Sequence, residues 1–115
     1  FGLPGNSISS AACFRFFVYP YLKYSLGISL EEPFKANLKN GLIKNKKFTR
    51  FMKSRINTTK NGKVEVKILS GQESFRVKSF VNSNVWTVLP SGKAKFKKKD
   101  IVDCYFLNQP NNIFI

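Results

Sequence analysis

The hydrophobic period of the chain changes once, between Gly27 and Pro33. From about Ile8 to Leu26, apolar residues follow a helical pattern, and Gly27 stands where a C-terminal cap belongs. After Pro33, apolar and polar residues alternate, as they do in strands with one buried face. The sequence therefore predicts a mainly β protein with one N-terminal helix.

Apolar residues cover most of the circumference of this helix, which predicts burial on most sides. Pro20 lies inside it and is expected to kink it, because proline lacks a backbone N–H. Arg15 and Pro20 also interrupt the apolar run, whereas a bilayer span needs about 20 predominantly apolar residues. We expect neither a transmembrane helix nor a signal peptide, and we place the chain in the cytoplasm.

The strand pattern predicts a small antiparallel β-barrel or sandwich of about five strands. The Asn61-Gly62 pair is typical of a type I′ hairpin between two of these strands. Pro90, followed by Ser91 and Gly92, predicts the turn of a second hairpin. The predicted strands are 34–38, 48–57, 64–69, 86–89 and 101–107.

Composition excludes several classes of protein. The 115 residues are too few for a large multidomain enzyme, and 43% hydrophobic content supports a folded core. There is no histidine, and Cys13 and Cys104 are the two cysteines, which argues against histidine catalysis, common zinc sites and a disulfide scaffold. We expect both thiols to be buried and reduced.

The net charge of +14 lies entirely in the second part of the chain. Charges in residues 1–34 sum to zero, whereas residues 35–115 contain 18 basic and 4 acidic side chains. We therefore divide the chain into residues 1–28 and 33–115, and we expect the second part to attract anions.

A glycine-rich turn, Gly2 to Ser7, directly precedes the predicted helix. Glycines there allow a ligand to approach the backbone, and the first N–H groups of the helix favour an anion. The alternative is an ordinary turn with Asn6 or Ser7 as the N-cap residue.

Several short motifs occur in order along the chain, and together they resemble the MoeA/gephyrin family. The family's motifs are GLPGNP, E-F-x-R, Q-x-S-x-R-x-x-S and A-N-G-L-x-x-L-P. Their counterparts here are Phe1-Gly2-Leu3-Pro4-Gly5-Asn6, Lys47-Phe48-Thr49-Arg50, Gln72-x-Ser74-x-Arg76-x-x-Ser79, and Asn84 with Val88-Leu89-Pro90. The resemblance is collinear over nearly the whole chain.

The resemblance implies that residues 1–28 are the final loop and helix of an α/β molybdopterin-binding domain. It implies that residues 33–115 are the family's C-terminal β-barrel-like domain. Members of the family are molybdopterin molybdenumtransferases, which insert molybdenum from molybdate into adenylylated molybdopterin and release AMP with the help of Mg²⁺. We expect the full-length protein to be a homodimer, the Mg²⁺ ligands to lie upstream, and this fragment alone to be inactive.

The resemblance also implies a set of residues that bind the anionic substrates through backbone N–H groups, hydroxyls and arginine forks. No catalytic residue and no metal ligand is assigned in this chain. The expected substrate-binding residues are Gly2, Pro4, Gly5, Asn6, Ser7, Arg50, Gln72, Ser74, Arg76 and Ser79.

Three positions depart from the family pattern. Ser7 replaces the second proline of GLPGNP, Lys47 stands where the family usually has Glu, and Asn45 stands where it often has Arg. These departures indicate a divergent member.

Two other functions fit the same residues. A basic β-barrel with exposed aromatic residues is a possible nucleic-acid binder. We do not expect nucleic acid as a partner, because no aromatic cluster typical of RNA-binding sheets is present and Trp86 lies in an apparent core strand. The run Lys93 to Lys99 is predicted to be a solvated surface. The other alternative is a non-catalytic docking domain of the same fold.

Overall fold

The computed structural model describes residues 11–69 and 82–107. Helix α1 covers residues 11–25 and includes a π-helical turn, Phe14–Val18, followed by an α-helical part, Tyr19–Ser25. Seven strands follow, and they are β1 (Phe34–Leu38), β2 (Leu42–Ile43), β3 (Arg50–Thr58), β4 (Val64–Ile68), β5 (Val85–Leu89), β6 (Lys95–Phe96) and β7 (Ile101–Phe106). The predicted start of the helix at Ile8 lies outside the described residues.

Helix α1 ends as the sequence predicts. Gly27 has a φ of 74°, its N–H donates to the carbonyl of Tyr24, and the N–H of Ile28 donates to the carbonyl of Lys23. This is a Schellman cap, in which glycine adopts the left-handed conformation at low cost. The helix is also irregular beside Pro20, since the N–H of Tyr19 bonds back to Phe14 across the wider π-helical turn.

The five longer strands form a closed barrel in the order β1-β4-β3-β5-β7, which confirms the predicted barrel of about five strands. Four of the five pairings are antiparallel, and the pairing of β1 with β4 is parallel. The geometry of a ring explains this departure from a fully antiparallel barrel. Strands that alternate in direction cannot close a ring of odd number, so one neighbouring pair must run in the same direction.

Both predicted hairpin pairings occur, but their connections differ from the prediction. Between β3 and β4, Gly62 has a φ of 79° and its N–H donates to the carbonyl of Thr59, whereas Asn61 has negative φ. The type I′ prediction is therefore wrong, because that turn needs positive φ at both central residues. Strands β5 and β7 pair as expected, but the connection between them contains β6.

The barrel interior is filled by side chains that alternate along the strands. Leu38, Val66, Val85, Leu89 and Cys104 are each at most 1% exposed. Burial of an aliphatic side chain of this size contributes about 1.5–3 kcal/mol, so this set is the main source of stability. The prediction of two buried thiols holds for Cys104, whose pKa is raised by burial, whereas Cys13 is only half-buried.

The predicted burial of α1 on most sides is wrong for the described residues. Phe14, Phe17, Tyr21 and Tyr24 are exposed, the last of them at 75%. One face of the helix contacts the barrel, and the other apolar residues of the helix are exposed. The helical pattern alone does not distinguish these two groups of residues. Among the described residues, no helix is long and apolar enough to cross a membrane.

A two-stranded ribbon, β2 with β6, lies at one end of the barrel. Phe96 of β6 is 3% exposed and belongs to the core cluster. The chain approaches β6 closely at Gly41, where an added Cβ would lie 2.8 Å from the carbonyl oxygen of Phe96. There is therefore no room for a side chain at position 41, and glycine is required there.

We expect Gly41→Ala to lower the free energy of unfolding by about 1–3 kcal/mol, because the new methyl group forces the ribbon away from the backbone of Phe96. Urea unfolding followed by circular dichroism measures the change. Asn40→Ala, a change at the exposed neighbouring position, is the matched control. Equal stability of the two variants would contradict the tight approach.

Candidate functional site

Helix α1 is held on the outer face of the barrel mainly by the aromatic side chain of Phe16, and Phe17 adds an edge-to-face contact with Phe51 at 6.0 Å. The ring of Phe16 lies 4.4 Å from the ring of Phe51, 5.3 Å from that of Tyr105 and 5.8 Å from that of Trp86, measured between centroids. The contacts with Tyr105 and Trp86 are edge-to-face, a favourable arrangement of aromatic rings. Phe16 thus fixes the position of α1 on strands β3, β5 and β7.

Arg15 adds polar contacts to the same junction. Its guanidinium donates to the carbonyl of Phe106 from Nε at 3.1 Å and from Nη2 at 3.0 Å, and it forms an ion pair with Glu31. Arg15 is only 8% exposed, so its charge needs this acidic partner. Burial and the charges of Asp103 and Glu31 raise the pKa of Tyr105, whose ring lies 5.7 Å from the guanidinium.

A cavity of about 180 Å³ lies at this junction, between α1 and the segment that contains Leu30 and Glu31. Arg15 and Lys23 both line it and both are buried. The charge of Arg15 is compensated by Glu31, and Lys23 lies over the ring of Tyr19 at 5.5 Å. The contacts of this cavity therefore explain how α1 is attached, and they do not define an anion site.

We expect Phe16→Ala to lower the free energy of unfolding by about 2 kcal/mol, because a half-buried ring is removed from three aromatic partners. The emission of Trp86, the single tryptophan, should shift to longer wavelength as water reaches it. Tyr24→Ala, on the exposed side of α1, is the control and should leave the emission unchanged. An unshifted spectrum for Phe16→Ala would contradict the packing.

A second surface of the molecule is a strongly basic end of the barrel. The connection from β1 to β3 and the connection from β5 to β7 meet there through the β2–β6 ribbon. Residues 39–50 and 90–100 contain ten lysines or arginines and one acid, Asp100. We call the surface formed by these two connections the basic end.

Backbone hydrogen bonds join the two connections of the basic end. The N–H of Gly92 donates to the carbonyl of Lys46 at 2.7 Å, and the N–H of Lys44 donates to the carbonyl of Ala94 at 2.8 Å. The N–H of Ser91 also donates to the hydroxyl of Thr49. Lys44 itself is buried, and its ammonium donates to the carbonyl of Phe48 at 2.7 Å. The scaffold of this surface is thus made mainly by the main chain.

Asp100 organises one turn of the basic end. Its carboxylate accepts a hydrogen bond from the backbone N–H of Lys97 at 2.8 Å and another from the ammonium of Lys93 at 3.2 Å. These bonds hold the pKa of Asp100 below its ordinary value of 3.8, with the backbone bond the larger cause. They favour the charged form of the carboxyl group.

The depressed pKa of Asp100 predicts a pH dependence of stability. The contribution of the carboxylate is fully present above its ordinary pKa of 3.8 and is lost as the pH falls through the lower folded value. In urea titrations from pH 6 to pH 2, the stability difference between wild type and Asp100→Asn should therefore shrink at the acid end. Curves for wild type and Asp100→Asn that stay parallel from pH 6 to pH 2 would contradict the prediction.

Arg50 is the one predicted substrate-binding residue that falls within the described residues. It is exposed as the first residue of β3, in register with Leu89 at the end of β5, and it belongs to the basic end. Within the described part of the chain it forms no ion pair. The other nine predicted residues, Gly2, Pro4, Gly5, Asn6, Ser7, Gln72, Ser74, Arg76 and Ser79, lie outside the described residues.

The described residues do not fit a magnesium site. Mg²⁺ is bound octahedrally, through one or two carboxylates together with waters and substrate phosphates. Across 11–69 and 82–107, no group of three or more Cys, Asp or Glu side chains comes together. Asp100 and Asp103 are each engaged by a lysine. We therefore derive no step through a metal at this surface.

The sequence did not predict that the basic residues of the two connections come together at one end of the barrel. Lys46 and Lys47 are separated from Lys97 and Lys98 by about fifty positions, and no spacing rule links them. Leu42 and Phe96 pair in the ribbon, but their two-residue strands are too short to show an alternation of apolar and polar residues. The charge asymmetry was the available signal, and the strand order was needed to interpret it.

The described residues thus form a closed five-stranded barrel that carries a helix on its outer face and a cluster of lysines at one end. Residues 35–107 match the family described as MoeA C-terminal region (domain IV). Because the match covers more than half of the chain, this protein belongs to that family. The resemblance stated from the motifs is confirmed.

Solved structures show the same fold. The molybdopterin biosynthesis moeA protein from Pyrococcus horikoshii OT3 superposes with a TM-score of 0.72 at 22% identity, over 89% of this chain and 26% of its own. A molybdenum cofactor biosynthesis protein from Pyrococcus furiosus gives a TM-score of 0.69 at 20% identity, over 87% of this chain and 35% of its own. The chain thus spans about a quarter to a third of the length of these relatives. A comparison with curated proteins returned no match.

Proposed function

We propose that this chain is the domain IV part of a molybdopterin molybdenumtransferase, which inserts molybdenum from molybdate into adenylylated molybdopterin and releases AMP. The observation that carries the proposal is the match of residues 35–107 to the MoeA C-terminal region. The printed descriptions of the structural relatives, molybdopterin and molybdenum cofactor biosynthesis, agree with it.

The role of the barrel in this reaction is to hold anions. Molybdate, the pterin phosphate and the adenylyl phosphate all carry negative charge, and an arginine fork binds such oxygens through two parallel hydrogen bonds. Arg50 supports this role because it is exposed and lies on a surface with a single acid, Asp100, whose charge Lys93 already meets. Breaking the bond to AMP requires stabilisation of developing charge, so a site without histidine is adequate.

Residues 1–28 belong, in this proposal, to a molybdopterin-binding domain that the rest of the protein completes. The aromatic face of α1 supports this division, since Phe14, Phe17 and Tyr21 are all more than 40% exposed. An apolar helix face of this kind is normally covered by another element. The homodimer and the substrate loop, Gly2 to Ser7, remain part of the same proposal.

Arg50→Ala tests the proposal in the protein that contains this chain. We expect the molybdate concentration that half-saturates AMP release to rise about tenfold, because a charge-assisted hydrogen bond contributes about 1.5–3 kcal/mol. Arg55→Ala is the matched control, since Arg55 is an exposed arginine on the same strand whose side chain donates to the carbonyl of Asn82.

Three results decide the matter. A specific effect of Arg50→Ala on molybdate use supports the assigned role. Equal effects of both variants would show that Arg50 acts only through general charge. Failure of the unaltered protein to bind adenylylated molybdopterin or AMP in isothermal titration would remove the proposed reaction altogether.

A further inference from the structure

The sequence pattern alone does not favour nucleic acid, but the β2–β6 pairing brings the lysines of two distant connections together beside exposed apolar side chains. From this arrangement we propose that the basic end also binds single-stranded nucleic acid, with phosphates on its lysines and bases on its exposed apolar side chains. This function goes beyond the molybdenum chemistry and does not depend on it. The lysines that carry the inference are distinct from Arg50.

The charge of the basic end is largely uncompensated. The lysines at positions 46, 47, 95, 97, 98 and 99 are exposed, and none of them forms an ion pair within the described part of the chain. Asp100 is the single acid of this surface, and it already forms an ion pair with Lys93. A chain of phosphates is the common biological partner whose repeated charges match such a cluster.

The turn from Lys97 to Asp100 presents three of these lysines. The N–H of Asp100 donates to the carbonyl of Lys97 at 3.0 Å, and Lys99 has a φ of 74°. Positive φ at a lysine is uncommon, because glycine or asparagine occupies this conformation at lower cost. The turn therefore holds an exposed lysine in a conformation that glycine adopts at lower cost.

A shallow groove of about 440 Å³ lies on the β2–β6 ribbon. It is lined by the apolar residues Leu42, Ile43 and Phe96, together with Lys95 and Lys97. Ile43 is 78% exposed there. The groove thus combines an apolar surface with ammonium groups. The apolar surface can contact the flat faces of bases, and the ammonium groups can bind the phosphates of the same strand.

Phe48 supplies an exposed ring in the part of the connection from β1 to β3 that lies between β2 and β3. Its side chain is 60% exposed, while its carbonyl is held by the ammonium of Lys44. An aromatic ring in this position can stack on a base. Single strands are favoured over a duplex, because paired bases do not offer their faces to Phe48 or Ile43.

Fluorescence anisotropy with a labelled 15-residue oligothymidylate tests the inference. The triple variant Lys95→Ala/Lys97→Ala/Lys98→Ala should weaken binding about tenfold at 100 mM salt and reduce the slope of log K against log salt by about 2. The matched control is Lys60→Ala/Lys63→Ala/Lys67→Ala, which removes the same charge from exposed lysines at the β3–β4 hairpin. The control should retain most of the affinity.

Phe48→Ala separates stacking from simple attraction of charge. We expect it to weaken oligothymidylate binding about fivefold and to leave the weaker binding of a 15-base-pair duplex unchanged. Circular dichroism and urea unfolding check that each variant is folded.

Other outcomes overturn the inference. Equal losses from the two lysine triples would mean that net charge alone attracts the strand. Equal effects of Phe48→Ala on strand and duplex would exclude stacking. Tighter binding to vesicles with 30% phosphatidylserine than to the oligonucleotide, with the same lysine dependence, would assign this surface to membranes. Any of these results leaves the test of Arg50 in molybdate use unaffected.

Discussion

The parallel pairing of β1 with β4 closes the barrel, and the antiparallel pairing of β1 with β7 positions its basic end. Closure satisfies the backbone groups of both strands, which would otherwise form open sheet edges. It also places β1 between β4 and β7, so the segment that leaves β1 lies beside the segment that enters β7. The β2–β6 ribbon forms between these two segments. The basic end is therefore a product of strand order.

The molecule separates two kinds of surface. At the α1 junction, charges are few and compensated, since Arg15 is buried against Glu31 and the carbonyl of Phe106. The ring of Phe16 packs there against those of Phe51 and Tyr105. At the basic end, most lysines are exposed and form no ion pair within the described residues, whereas Lys44 is buried and Lys93 pairs with Asp100. The first surface is suited to stable attachment of protein elements, and the second to reversible contact with anions.

The sequence predicted the features that depend on local pattern. Alternation located β1 and β4, and Gly27 and Pro90 marked the ends of α1 and β5. Strands β2 and β6 were missed because a strand of two residues is too short to show an alternation of apolar and polar residues. The turn at Asn61 was assigned wrongly because loop length, as well as the residue pair, selects the turn type. The exposure of α1 was missed because a hydrophobic pattern does not identify the surface that will cover it. Of the candidate site, Arg50 was named from its motif, whereas its lysine neighbours required the topology.

The backbone hydrogen bonds of the basic end have a consequence for how this surface can change over time. The backbone N–H groups of Gly92 and Lys44 join its two connections, and any residue type except proline supplies such a group. Exposed lysines on such a framework can be exchanged for neutral or acidic residues at little cost in folding. Relatives with the same barrel are thus free to present quite different charges at this end, and ligand preference can diverge while the architecture stays constant.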